Sequence, residues 1–161
     1  MLIEPYGPEH RRTCLALFDS NVPRFFRAEE RGEFERFLDA LPGPYLVGRL
    51  DGKVIAAGGY AEDGRGTGSW ILCWGMVASR LRNQGFGRML LDARLAALNE
   101  LAGFRQVRIN TSQHTRGFFE RFGFHVTEIE QDGFGPGLHR YAMSFGPEAC
   151  AKDSNPAAAD L

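Results

Sequence analysis

The sequence predicts an α/β domain with a mixed, mostly antiparallel sheet flanked by helices, and three observations carry that prediction. Two strand-like runs, Tyr45 to Leu50 and Lys53 to Tyr60, are joined by Asp51-Gly52, a two-residue signature of a tight hairpin. A third apolar run, Ser69 to Ala78, holds both tryptophans and completes an antiparallel meander. A long helical pattern then separates that run from the next, Gln106 to Thr111. Such a strand-helix-strand crossover favours a parallel pair.

The other elements follow in order. Leu2 to Glu4 reads as a short strand, and Pro8 stands where a first helical turn tolerates proline, ahead of Cys14, Leu17 and Phe18 at helical spacing. Phe34, Phe37, Leu38 and Leu41 predict a second helix, stopped by Pro42-Gly43-Pro44. The long helix is expected to run to about Leu101. Its stripe is Phe86, Met89, Leu90, Ala93, Ala97 and Leu101, widened by Leu91, Leu95 and Leu98, so burial over most of the circumference is expected. Gly103 closes it. His114 to Phe122 reads as a short helix ended by Gly123, and Phe124 to Glu130 as a strand. Asp132 to Gly137 reads as a loop, and Leu138 to Phe145 as the last strand. Residues 1–146 are expected to form a single domain, and 147–161, without periodicity, a flexible tail.

Composition narrows the function classes. The chain has 161 residues, about one domain's worth, and its 19 basic and 20 acidic residues leave a net charge of −1. Neither a nucleic-acid partner nor a membrane partner is expected from that balance or from the opening residues MLIEPYGPEHRR, which hold no long apolar run. The three cysteines, Cys14, Cys73 and Cys150, lack metal-ligand spacing, so no metal is expected and a reducing cytoplasm is the expected location. Gly, at 20, and Phe, at 13 against four Tyr, are the compositional oddities.

The most informative segment is Arg82-Asn83-Gln84-Gly85-Phe86-Gly87, between the third meander strand and the long helix. Two glycines one residue apart permit a tight turn with positive φ and a close backbone approach to a ligand. The unpaired N–H groups and positive dipole end of the helix converge there, and Arg80, Arg82 and Arg88 add positive potential. Phosphate or pyrophosphate is the natural occupant. The alternative is that the glycines only shape the turn and the arginines only solubilise it. A P-loop string is absent. A dinucleotide fingerprint also fails, because Leu90 stands where a third small residue is needed and the next strand ends Ile109-Asn110-Thr111 without an acidic residue.

With Arg82, Gly85 and Gly87 as R-x-x-G-x-G, the run Val77 to Leu91 resembles the acyl-CoA pyrophosphate loop of the GNAT superfamily of N-acetyltransferases. Phe119-Glu120-Arg121-Phe122-Gly123-Phe124 resembles that superfamily's second signature, usually Tyr-Glu-Lys-Leu-Gly-Phe. The resemblance covers roughly residues 2–145. It implies a GNAT-type sheet, acetyl-CoA as cosubstrate, and direct acetyl transfer to a primary amine of a small molecule or peptide in a ternary complex. Protein N-terminal acetylation, or CoA binding with little turnover, are the alternatives, and a homodimer is left open. The resemblance further implies that backbone N–H groups of Asn83, Gln84, Gly85, Phe86, Gly87 and Arg88 hold the pyrophosphate. Met76 and Val77 would pair their main chain with the pantetheine arm, and Ser112 would lie near that arm or else cap the short helix.

Direct transfer needs a group to accept a proton from the amine, and one to protonate the departing thiolate when it is not released as such. The superfamily often uses the signature Tyr for the second task, and here the position is Phe119, which has no proton to give. Candidate replacements are His114, whose imidazole suits proton transfer, and Glu62 or its neighbour Asp63, as carboxylates acting through water. Each has a plainer reading: an exposed or capping histidine, a solvated turn. Cys73, Tyr60 and Tyr141 read better as packing residues. The resemblance places the acceptor pocket at the first two helices and the loop before the last strand. Asp19, Asn21, Phe25 and Phe134 are the expected acceptor-binding residues, with Phe26 and Asp132 beside them and Phe134 on a lid-like loop.

Overall fold

The structure is a computed structural model and describes residues 1–66 and 68–146. The expected tail, 147–161, and Cys150 lie outside the described residues. The elements run β1 (Leu2–Pro5), α1 (Arg11–Asn21), α2 (Arg31–Asp39), β2 (Tyr45–Leu50), β3 (Lys53–Glu62), β4 (Ser69–Val77), α3 (Phe86–Asn99), β5 (Gln106–Ser112), α4 (Arg116–Glu120), β6 (His125–Gly135) and β7 (Leu138–Phe145). Hydrogen bonds order the seven strands β1-β2-β3-β4-β5-β7-β6. Strands β4 and β5 pair parallel, where Ser69, Trp70 and Ile71 face Gln106, Val107 and Arg108. The mixed α/β sheet is therefore as the sequence predicts. The contacts divide into two compact units, Met1–Glu62 with Leu72–Ala102, and Asp63–Ile71 with the described chain from Gly103 to Gly146.

In the first unit, β1, β2 and β3 pair antiparallel, and the β2–β3 hairpin turns at Asp51 and Gly52 with φ of +49° and +77°. Both values are left-handed, which is what Asp-Gly supplies in a two-residue hairpin. The core forms where α1 and α2 bring Cys14, Leu17, Phe18, Phe34 and Leu38 onto Tyr45, Val47, Ala57 and Met76. Helix α2 stops at Asp39, short of Leu41, which is outside the helix and exposed. The residue before a proline is pushed out of helical geometry, and Leu41 precedes Pro42.

Helix α3 departs most from its expected face. Its buried residues are Leu90, Leu91, Arg94 and Leu98, whereas Met89 is 41 % exposed and Leu101 lies beyond the helix end. A long arginine stem completes the inward stripe, which a hydrophobicity pattern cannot register.

In the second unit, β5 and β7 pair antiparallel, as do β6 and β7. Phe119 packs edge-on against Phe124, which stacks on Phe145. Only Arg116–Glu120 of the expected helix is helical, because the preceding residues make a turn in which Thr115 N–H bonds Ser112 O at 3.1 Å. The expected loop over Asp132 to Gly137 is corrected as well. Strand β6 continues to Gly135, Asp132 absorbs a bulge at φ +55°, and only Pro136 and Gly137 make the turn. Gly137 N–H bonds Asp132 Oδ1 at 2.8 Å, and Gln113 Nε2 bonds Gly137 O at 2.7 Å, so this tip is held down rather than lid-like.

Candidate active site

Strand β4 reaches the candidate site through an irregularity. Trp74 has φ +42°, left-handed geometry that a non-glycine residue adopts only when its surroundings impose it. The Tyr45 hydroxyl donates to Trp74 O at 3.0 Å and fixes the turned peptide. The indole is held among Phe34, Phe26, Phe18 and Phe37, at centroid distances of 5.0, 5.8, 6.2 and 6.2 Å. The first unit's share of the phenylalanines thus locks the strand that leads into the glycine turn.

After β4 comes a 3-10 turn, Ser79–Leu81, and then left-handed residues at Asn83, φ +60°, and Gly85, φ +85°, immediately before α3. Gly85 is the N-cap, its carbonyl accepts from Met89 N–H at 3.1 Å, and a Cβ built on it would meet nothing within 4 Å. Asn83, Gln84 and Gly85 are exposed. The first N–H groups of this 14-residue helix have no intrahelical acceptor and carry its positive dipole end, so an oxyanion can sit here without displacing a side chain. The expectation of positive φ at both glycines is corrected. Gly87 lies inside α3 and is not among the positive-φ residues, and Asn83 takes the second left-handed position.

The arginines divide in role. Arg80 and Arg88 are exposed beside the turn. Arg82 is instead engaged from below: its Nη2 donates to Asn21 Oδ1 at 3.1 Å, and its guanidinium carbon stands 4.1 Å from the Phe25 ring centroid. Burial and the like charge of Arg24 hold its pKa below the ordinary arginine value. Asn21, expected at the acceptor, is buried under the turn. Its Nδ2 donates to Leu17 O at 2.8 Å and Val77 O at 3.0 Å. Ser20 Oγ accepts from Ser79 N–H at 3.3 Å. The end of α1 therefore ties down both the end of β4 and the turn, and the Val77 carbonyl is already hydrogen-bonded.

The other expected site residues fall as follows. In the first unit, Glu62 is exposed at the end of β3, Asp19 pairs with Arg31 at 2.9 Å, and Met76 is buried next to the half-buried Val77. Burial pushes the Cys73 thiol up to about 11, away from proton-transfer duty near neutrality. In the second unit, Asp63 is committed to Arg108 at 3.2 Å and to the Ser69 hydroxyl at 3.2 Å. Ser112 is buried, and its Oγ accepts from His114 N–H at 3.3 Å in the turn before α4, whose N-cap is Thr115 and not Ser112. His114 is exposed, Phe134 half-buried in β6 and Phe119 buried.

Sequence reasoning missed Arg94. The signal was present in two glycines, Gly58 on β3 and Gly75 on β4, whose missing side chains make the space that the guanidinium fills.

Strand β4, with its left-handed residue at Trp74, runs into a helix start whose exposed turn suits an anionic ligand. The family model described as Acetyltransferase (GNAT) family matches residues 14–124, more than half of the chain, and the chain belongs to that family. A Desulfovibrio desulfuricans protein assigned to the GNAT family is similar in structure, with a TM-score of 0.78 and 21 % identity over 91 % of this chain and 98 % of that one. An aminoglycoside 6′-N-acetyltransferase complexed with coenzyme A gives 0.75 and 13 %, over 91 % and 97 %. A ribosomal-protein-alanine N-acetyltransferase from Brucella melitensis gives 0.72 and 20 %, over 91 % and 99 %. At these identities the likeness is one of fold. No curated protein sequence matches the chain. Among the described residues, no helix is long and apolar enough to cross a membrane.

Proposed function

We propose that this acetyltransferase moves an acetyl group from acetyl-CoA to a primary amine of a small molecule or peptide, by direct transfer in a ternary complex. The observation that carries the reading is the turn into α3: left-handed at Asn83 and Gly85, exposed from Asn83 to Gly85, and delivering N–H groups without an intrahelical acceptor at the start of a 14-residue helix. Backbone N–H groups from Asn83 to Arg88 would hold the pyrophosphate, with Arg80 and Arg88 adding positive potential. The main chain of β4 at Met76 and Val77 would orient the pantetheine arm. Because Asn21 occupies the Val77 carbonyl, Met76 and the Val77 N–H carry more of that task.

When bound, acetyl-CoA supplies an activated acyl group whose sulfur departs readily. The chain's residues orient it, and a main-chain N–H of β4 would polarise the carbonyl where oxyanion charge develops. Glu62, exposed at the end of β3, is proposed to take the amine proton through water, with His114 as the alternative.

Calorimetry with acetyl-CoA tests the first step, and its expected result is saturable binding. Thiol release over a panel of small amines and amino-terminal peptides tests the second. Glu62→Gln is expected to lower kcat at least tenfold with little change in the acetyl-CoA dissociation constant, and the same result for His114→Ala instead would transfer the role. Saturable binding with no release for any acceptor would favour a CoA-binding module, the reading that Phe119 in place of a tyrosine supports.

A further inference from the structure

Arg94 is a buried cation without a counter-ion among the described residues. The residue is 3 % exposed, its Nε donates to Leu90 O at 3.3 Å, and its Nη1 is buried with no hydrogen-bond partner. The groups that bear on its charge are the buried Tyr45 phenol on β2 and the half-buried Cys73 thiol on β4; both have raised pKa values and are neutral at pH 7. The desolvated charge is therefore not balanced by a carboxylate. Burial, partly offset by Tyr45 and Cys73, lowers its pKa to about 10, which leaves it protonated at neutral pH.

The charge has a specific address. A Cβ built on Gly75 would lie 3.0 Å from Nη1 and 3.1 Å from Nη2, and one built on Gly58 would lie 3.1 Å from Nη1. The guanidinium thus presses on bare backbone from the α3 side of β3 and β4. Gly75 is nonetheless exposed, so its opening is on the flank away from Arg94. It lies between the turned peptide of Trp74 and Met76, immediately before the stretch of β4 proposed above to orient the pantetheine arm. Only a glycine there allows a positive charge to approach that stretch from behind while the front stays open.

We infer that Arg94 is an electrostatic positioning residue whose buried charge, acting through the side-chain-free backbone of Gly75, favours the thiolate form of coenzyme A on β4. The inference rests on the acetyl-CoA reading. It also addresses the missing hydroxyl at Phe119. When the amine nitrogen bonds the acetyl carbon and the C–S bond breaks, the electron pair leaves on sulfur and the amine's proton passes to water or its acceptor. With the sulfur stabilised as an anion, no side-chain acid has to protonate it in that step. Cys73 reports the same field, since Arg94 pulls its thiol pKa down against the larger upward effect of burial.

The test reads the cofactor's thiol and needs no acceptor. Coenzyme A is bound to the wild-type protein, Arg94→Met and Arg94→Lys, and thiolate absorbance is followed against pH. The complex with S-methyl-coenzyme A, which lacks a titrating thiol, serves as the blank. An ordinary alkyl thiol titrates at about 8.5. The bound thiol is expected to titrate about one pH unit lower in wild type than in Arg94→Met, a roughly tenfold loss of thiolate at a given pH, with Arg94→Lys between them. Equal thiol pKa values in all three complexes would overturn the inference and leave the acetyl-CoA reading intact. Absence of coenzyme A binding to the wild type would overturn both. Should Arg94→Met fail to fold, the wild type against Arg94→Lys decides, because the shorter point charge withdraws from Gly75.

Discussion

Replacing Arg94 by Met should make the protein more stable. Burial, partly offset by Tyr45 and Cys73, lowers the guanidinium pKa from its ordinary value to about 10, and at roughly 1.36 kcal/mol per pH unit that is about 3 kcal/mol against the charged form in the fold. The residue's compensation is small: one hydrogen bond to Leu90 O at 3.3 Å, and an Nη1 with none. Methionine is unbranched, of similar length, and leaves no polar atom to satisfy, so a gain of about 1–3 kcal/mol at pH 7 is expected. Urea unfolding of both proteins, with the m-value checked for constancy, measures it. The pH dependence has a defined sign. The folded state releases this proton near pH 10, whereas the unfolded chain keeps it to the higher, ordinary arginine value. Within that window the unfolded state binds more protons, so the wild type gains relative to Arg94→Met as pH rises. The advantage of Arg94→Met is therefore complete below about pH 10 and shrinks above it. If the wild type were instead the more stable by over about 1 kcal/mol at pH 7, with Arg94→Lys matching it, the premise of an uncompensated charge would be refuted.

Gly75→Ala is expected to destabilise by about 1–3 kcal/mol, because its Cβ would meet both terminal nitrogens of Arg94. Adding Arg94→Ala should recover part of that loss, and a double-mutant cycle by thermal unfolding reads the coupling. Asn21→Ala leaves Val77 O and Arg82 without their partner; a loss of about 1–3 kcal/mol and a several-fold weaker coenzyme A affinity by calorimetry are expected. Gly85→Ala forces a side chain into φ +85° with no steric neighbour, so a cost of about 1 kcal/mol and weaker coenzyme A binding should come from backbone strain alone. Tyr45→Phe removes the bond to Trp74 O while keeping the ring; a loss of about 1 kcal/mol in urea unfolding is expected, and none would mean that the aromatic nest alone holds the turned peptide.

What the sequence revealed of the fold depended on whether the signal was local. Asp51-Gly52 specifies its own hairpin because left-handed geometry is a property of those two residues, and β7 emerges with its bounds as expected because alternation and flanking turns mark both ends. The glycine-rich stretch at Asp132 misleads for the opposite reason. Gly133 is there because a Cβ would stand 2.7 Å from Arg140 Cβ across the hairpin, a long-range constraint that reads locally as flexibility. The face of α3 is obscured by the same kind of nonlocal pairing, since a buried arginine is intelligible only once Gly58 and Gly75 are known to oppose it.

The site follows the same division. The turn at Gly85 could be read directly, because a small residue before a long helix is a local requirement for presenting N–H groups. Asn21 and Arg82 could not be assigned that way, since polar residues at the end of α1 and in a basic loop look alike whether they face a ligand or each other. Their contacts turn one into a support for β4 and the other into a link between the turn and Phe25. The lopsided aromatic content gains two meanings on the same grounds. Phe18, Phe26, Phe34 and Phe37 surround Trp74 where β4 bends, whereas Phe119 is conspicuous for the hydroxyl it lacks. A strand held in one conformation by that nest, and a cation pressed against its glycine, are two ways of fixing charge and geometry before any ligand arrives. Preorganisation of that kind suits a reaction in which the leaving group needs an electrostatic environment more than it needs a proton.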